Sequence, residues 1–207
     1  MSLPSSRSVW LFGVLMTITF WACLAGHGWQ IYITHRDAYC SIKPLMMFLG
    51  WCCSTSLVGL GIYRTPWNRP MVYSRLPAML TTTLSVVQSI SPRLSPLSLS
   101  LAVLLNALVI FGIIATQQHD AFKRVLSRLY KLFIILTYTL GLGQQAISFA
   151  RNGTGSTTLL YWGPLVVSSI IACIYFRLLR DRTLTAAFGV GSLLSLAIGI
   201  EVFVGIR

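Results

Sequence analysis

The chain is predicted to be all-α, a polytopic transmembrane helical bundle of about seven spans, and three observations carry that prediction. Only 10% of its 207 residues are charged and 55% are hydrophobic, whereas a soluble domain carries about 25% charged residues because its surface must be wetted. Mean hydropathy is +0.74. The apolar residues also fall in runs bounded by charges or turn residues, most of them near the roughly 20 residues that a helix needs to cross a bilayer. No segment between the runs is long or polar enough to form a separate soluble domain, so residues 1–207 are read as a single integral membrane domain.

The first run spans 9–33. MSLPSSR ahead of it, with Cys23 and Ala25 as small residues further on, has the layout of a signal peptide, whose cleavage would leave six spans. The hydrophobic run continues through GWQIYI, which fits an uncleaved helix better. The second run, 44–63, carries Gly59 and Gly61 as a small packing face. The third, 77–92, reads PAMLTTTLSVVQSISP: short, rich in Thr and Ser, and bounded by proline. The fourth is 97–116 with Asn106 near its middle, the fifth 130–149 and the sixth 158–176. The seventh, 183–205, has a small face of Gly189, Gly191, Ser192, Ser195 and Gly199, and ends near Glu201, the chain's one glutamate.

The distribution of basic residues decides whether the third run counts. Cytoplasmic loops carry an excess of Lys and Arg. With seven spans one face receives Arg7, Arg64, Arg69, Arg75, Lys123, Arg124, Arg128, Arg177, Arg180 and Arg182, with Lys131 at the membrane edge. The other receives Arg36, Lys43, Arg93, Arg151 and Arg207, a split of eleven against five. Omitting the third run gives seven against nine. Seven spans are therefore predicted, with the N-terminus cytoplasmic and the C-terminus exoplasmic, in a plasma or bacterial inner membrane.

The net charge of +12 is explained by these loops meeting anionic headgroups; no basic stripe with interleaved aromatics suggests nucleic acid. Four of the five cysteines, Cys23, Cys52, Cys53 and Cys173, sit inside apolar runs, with Cys40 in a loop. They read as small buried hydrophobes, not as a disulfide framework. No H-E-x-x-H, G-x-S-x-G, P-loop or dinucleotide fingerprint occurs. His27 and His35 fall on the opposite side from His119, which argues against a zinc or haem site. No catalytic residue, metal ligand or cofactor is assigned. Asn152-Gly-Thr reads as turn chemistry close to the membrane surface.

The polar residues inside the runs are the informative feature. On the predicted topology His27 and Gln30, Gln88, Gln144 and Gln145, and Glu201 all fall in the outer leaflet. Polar side chains in hydrocarbon face a bundle interior or a wet cavity, so these six are predicted to line an outward-facing binding pocket, with Arg151, Arg93 or His27 as partners of Glu201. The alternative reading is that His27 and Glu201 are hydrated interfacial groups and that Gln144 and Gln145 make interhelical hydrogen bonds. The function predicted first is a small-solute or ion translocator, or a membrane subunit of a transport system. A non-catalytic membrane scaffold or assembly protein is the alternative, and a lipid-modifying enzyme using His27 and Glu201 is a third. The expected partners are the lipid bilayer, a small-molecule or ion substrate and other membrane subunits.

Overall fold

The structure, a computed structural model, describes residues 6–37, 42–64, 68–153 and 159–205. Its helices are α1 (Ser6–Asp37), α2 (Pro44–Tyr63), α3 (Arg69–Ile90), α4 (Pro96–Thr116), α5 (Asp120–Leu136), α6 (Leu142–Asn152), α7 (Leu159–Leu178) and α8 (Arg182–Gly205). A π-helical turn, Thr137–Gly141, joins α5 to α6 into one rod. The starts are set by local chemistry. Asn68 accepts a hydrogen bond from the Met71 amide at 3.2 Å, Ser95 forms a capping box with Ser98 ahead of Pro96, and Asp181 accepts from the Leu184 amide at 3.2 Å. Each supplies an acceptor to a helix's otherwise unpaired first amides.

The resulting seven rods alternate in direction. At one end Asp181 pairs with Lys131 at 2.9 Å and Arg64 at 3.6 Å, which ties the α7–α8 turn to the fifth rod about three turns past its start and to the end of α2. At the other end the Gln145 side chain accepts from the Lys43 amide at 2.8 Å and His35 Nδ1 accepts from the Leu94 amide at 3.1 Å. Six rods close a ring in the order α1, α3, α2, α5–α6, α8, α7, and α4 leans on α3 and α2 from outside. The interior is packed by Trp162, Tyr175, Phe176 and Phe188, each at most 2% exposed. The exterior carries apolar side chains such as Leu104, Phe111 and Leu193, 55–72% exposed. That pattern suits acyl chains, and six of the rods are long and apolar enough to cross a membrane. The protein is a multi-pass membrane helical bundle.

Two boundaries differ from the sequence expectation. The third element starts at Arg69, not 77, and runs straight through Pro77. Its 22 residues span about 33 Å at 1.5 Å per residue, enough for the hydrocarbon core, yet it is the one full-length rod too polar to qualify as a span on composition. The fifth begins at Asp120, not 130; its first turns carry Lys123, Arg124 and Arg128 beside exposed Phe122 and Val125. Cys40, Arg207 and Thr154 of the sequon lie outside the described residues.

Both internal prolines are accommodated by α1. Proline removes the bond to the carbonyl four residues back. The carbonyl freed by Pro77 belongs to Tyr73, and the Trp21 indole donates to it at 3.2 Å. The carbonyl opposite Pro164 belongs to Leu160, and α1 meets that backbone at Gly26, where any Cβ would run into the Leu160 oxygen and lie 2.7 Å from Tyr161 Cα. Glycine is needed there because the neighbour is main chain and cannot rotate away.

Candidate functional site: a cavity inside the ring

The ring encloses a cavity that is neither sealed nor a surface groove. About 60 Å³ of it is open to the centre of a water molecule, which at roughly 10–15 Å³ per water holds a few waters or one compact group. α3 presents Arg75, Ala78, Thr82 and Ser85 to it, spaced three and four apart as one helical face requires. α2 contributes Met46, Met47, Gly50, Cys53 and Ser54; the fifth rod Thr137, Tyr138 and Leu142; α7 Tyr161 and Leu165; α1 His27.

Arg75 is the principal correction to the sequence reading, which placed it in a loop. It is 6% exposed in the middle of the ring. Its guanidinium carbon lies 3.5 Å from the centre of the Phe20 ring and 5.9 Å from that of Phe188, and one terminal nitrogen donates to the Tyr138 hydroxyl at 3.3 Å. Its Nε makes no hydrogen bond, and no carboxylate pairs with it among the described residues. Tyr138 is aimed by the π-turn. Thr137 Oγ1 lies 2.6 Å from the Leu49 carbonyl and 2.8 Å from that of Phe133, anchoring the widened turn to α2. The Tyr138 ring rests on Gly191 of α8, where a Cβ would lie 2.6 Å from Cε1. Single π-turns recur at functional sites because they redirect side chains out of helical register.

The walls offer few free donors. Ser54, Thr82 and Ser85 each donate to the carbonyl four residues back, at 3.0, 2.6 and 3.0 Å. His27 Nδ1 lies 2.8 Å from the Cys23 carbonyl; a carbonyl can only accept, so Nδ1 carries the proton and Nε2 is left for the cavity side. The ring meets Tyr161 edge-on at 4.8 Å. By helical rise His27 stands about 10 Å further along α1 than Phe20 and hence than Arg75. The cavity therefore has one cationic pole and one imidazole end.

Of the six residues predicted to form a pocket, His27 alone lines this cavity. Gln30, 3% exposed, has both amide atoms buried without a partner. Gln88 donates to the Ile31 and Pro92 carbonyls at 3.0 and 3.2 Å, pinning the end of α3 to α1. Gln145 secures the start of α2, while Gln144 on the next position is exposed. Glu201 is half-buried, with one carboxylate oxygen lacking a partner, and it forms no ion pair with Arg151, Arg93 or His27. Arg75, Cys53, Thr137 and Tyr138 were missed. The signal that would have found Arg75 is Met71, Arg75, Ala78 and Thr82 at steps of four, three and four, a buried face continuing across Pro77. No protein-family model matches the chain, and neither a curated protein nor a solved structure does.

Proposed function

We propose that the protein is a small-solute or ion translocator, or the membrane subunit of one, with the cavity inside the ring as its solute chamber. The carrying observation is that the rods around a cavity holding Arg75 and His27 within a largely apolar lining interrupt their regular hydrogen bonding: α3 at Pro77, α7 at Pro164 and the fifth rod at the π-turn. Irregular backbone at membrane depth is tolerated where it borders a cavity, and transporters use broken helices to build their binding sites.

Stopped-flow light scattering of proteoliposomes tests the reading. Vesicles holding the full chain are shrunk with sodium acetate, ammonium chloride, urea or glycerol, and reswelling is compared with empty vesicles. At least one solute is expected to re-enter faster through the wild type and no faster than control through Gly50→Leu. That variant fills the chamber without backbone collision, since the nearest atom to a Cβ at Gly50 is a Thr82 methyl at 3.8 Å. Equal reswelling with all four solutes overturns the proposal and favours the scaffold reading, to which the structural bonds of Gln88 and Gln145 already conform.

A further inference from the structure

We infer that the cavity is an oxyanion site, in which the guanidinium of Arg75 receives a carboxylate or phosphate group. This deepens the translocator reading, because it assigns the chemical class of what the chamber takes, and it rests on that reading for its place in a transport cycle.

The argument starts from an imbalance. An arginine inside a membrane domain is costly to bury and ordinarily finds a carboxylate or a set of carbonyls. Arg75 has five N–H donors and spends one on Tyr138 at 3.3 Å. Phe20 covers one face of the guanidinium at 3.5 Å; a ring face attracts the cation but accepts no directed hydrogen bond of the strength a carboxylate would give. The four acids of the chain lie elsewhere. Asp181 is engaged by Lys131 and Arg64, Asp37 by Arg36, Asp120 starts α5 outside the apolar part of its rod, and Glu201 is near the far end of α8. The negative charge that completes Arg75 therefore comes from outside the chain.

The remaining geometry narrows the class. The guanidinium is a planar fork matched to paired oxygens, so carboxylate and phosphate fit it better than a spherical halide. Tyr138 accepts from Arg75 and so holds its hydroxyl beside the guanidinium. Ser54, Thr82 and Ser85 donate to carbonyls of their own helices, and Thr137 lies against the Leu49 and Phe133 carbonyls, so Arg75 is the one permanently charged donor among the lining residues. The space excludes a bulky solute around the charged group, while Met46, Met47, Leu142 and Leu165 provide an apolar lining for a short tail. Two sources share this chemistry, a small soluble oxyanion and the phosphate of a lipid headgroup.

The test is thermal unfolding of the delipidated full chain in maltoside micelles, followed by tryptophan fluorescence. Sodium acetate or sodium phosphate is titrated at constant ionic strength against sodium chloride; in a second arm phosphatidylglycerol is added and compared with diacylglycerol, which lacks the phosphate. A ligand at a hundredfold excess over its dissociation constant raises the midpoint by roughly 5–10 °C for a chain of this size. A saturable rise with acetate or phosphate, lost in Arg75→Met and reduced in Tyr138→Phe, supports the site and identifies a soluble anion. A rise confined to phosphatidylglycerol, with the same losses, supports it and identifies a headgroup. No rise in the wild type, or an equal rise in Arg75→Met, overturns it. If Arg75→Met does not fold, Arg75→Lys, which keeps the charge and loses the planar fork, takes its place: a reduced rise supports the site and an undiminished one overturns it. The outcome is independent of flux: a rise without reswelling retains the oxyanion site and rejects translocation, and reswelling with urea or glycerol without a rise does the reverse.

Discussion

Replacing Asn106 by leucine should loosen α4 from the bundle while leaving the ring closed. α4 buries only Ala102, Asn106 and Ile113, so its attachment is concentrated at few points. Asn106 Nδ2 donates to Thr83 Oγ1 at 2.8 Å, and its Oδ1 accepts from Thr83 Oγ1 at 3.2 Å and from Trp51 Nε1 at 3.3 Å. That makes one partner on α3 and one on α2. Cross-helix hydrogen bonds in membranes average about 0.6 kcal/mol and reach about 1.7, so two partners contribute roughly 1–3 kcal/mol, or roughly 5–150-fold in the unfolding constant. Leucine keeps the branched outline of the side chain, and acyl chains give no compensating hydrophobic gain, so the lost hydrogen bonds are not offset. Reversible unfolding in micelles titrated with dodecyl sulfate measures the free energy. Paired spin labels at the exposed positions Leu80 and Leu104 report the α3–α4 distance, which should broaden. A free-energy change under about 0.5 kcal/mol together with an unchanged distance distribution would refute the idea that a polar clasp holds α4.

Three further outcomes follow from the packing. Trp21→Phe should cost about 0.6–1.7 kcal/mol in the same unfolding assay but distinctly less in a Pro77→Ala background, where the restored amide reclaims the Tyr73 carbonyl; equal costs in both backgrounds would mean the indole bond does not compensate the proline. Gly26→Ala should destabilise by about 1–3 kcal/mol, since α1 and α7 must separate to admit the methyl, and a neutral result would contradict the close approach. Asp181→Asn keeps a competent helix cap but removes the charge facing Lys131 and Arg64, both about a third exposed; a loss of about 1 kcal/mol at low salt should shrink as salt is raised, and a salt-independent loss would point to the cap instead.

The architecture was largely legible in the sequence because bilayer solvation writes itself into composition. The runs 44–63 and 97–116 fall within a residue of the observed helices, which begin at Pro44 and Pro96. The third element was not, because proline is ordinarily a boundary and Arg69 and Arg75 look like loop charges. Only a tertiary partner, Trp21, makes an unbroken helix through Pro77 affordable. The site was obscured for the same reason. A search for polar groups within apolar runs finds Gln88 and Gln145, whose bonds in the fold go to main chain, and overlooks Arg75 because the residues packed around it, Phe20, Phe188 and Tyr138, are distant in sequence. Tyr138 in particular points inward through a π-turn, a change of helical register that no periodicity reveals. His27 was found, since an imidazole inside a long apolar run is conspicuous by itself.

The polarity of α3 also bears on how the molecule is made. A segment carrying Arg75, three consecutive threonines from Thr81 and Gln88 lacks the free energy to leave the insertion channel unaided, whereas α2 before it and α4 after it partition readily. α1 and α2, made before it, supply the packed surface that α3 needs, and the very apolar α4 follows on the lipid side. Entry of the one rod too polar to partition alone is thus expected to depend on the rods before it, and residues 69–90 carried without α1 and α2 should stay on the aqueous side, where a glycosylation tag would mark them.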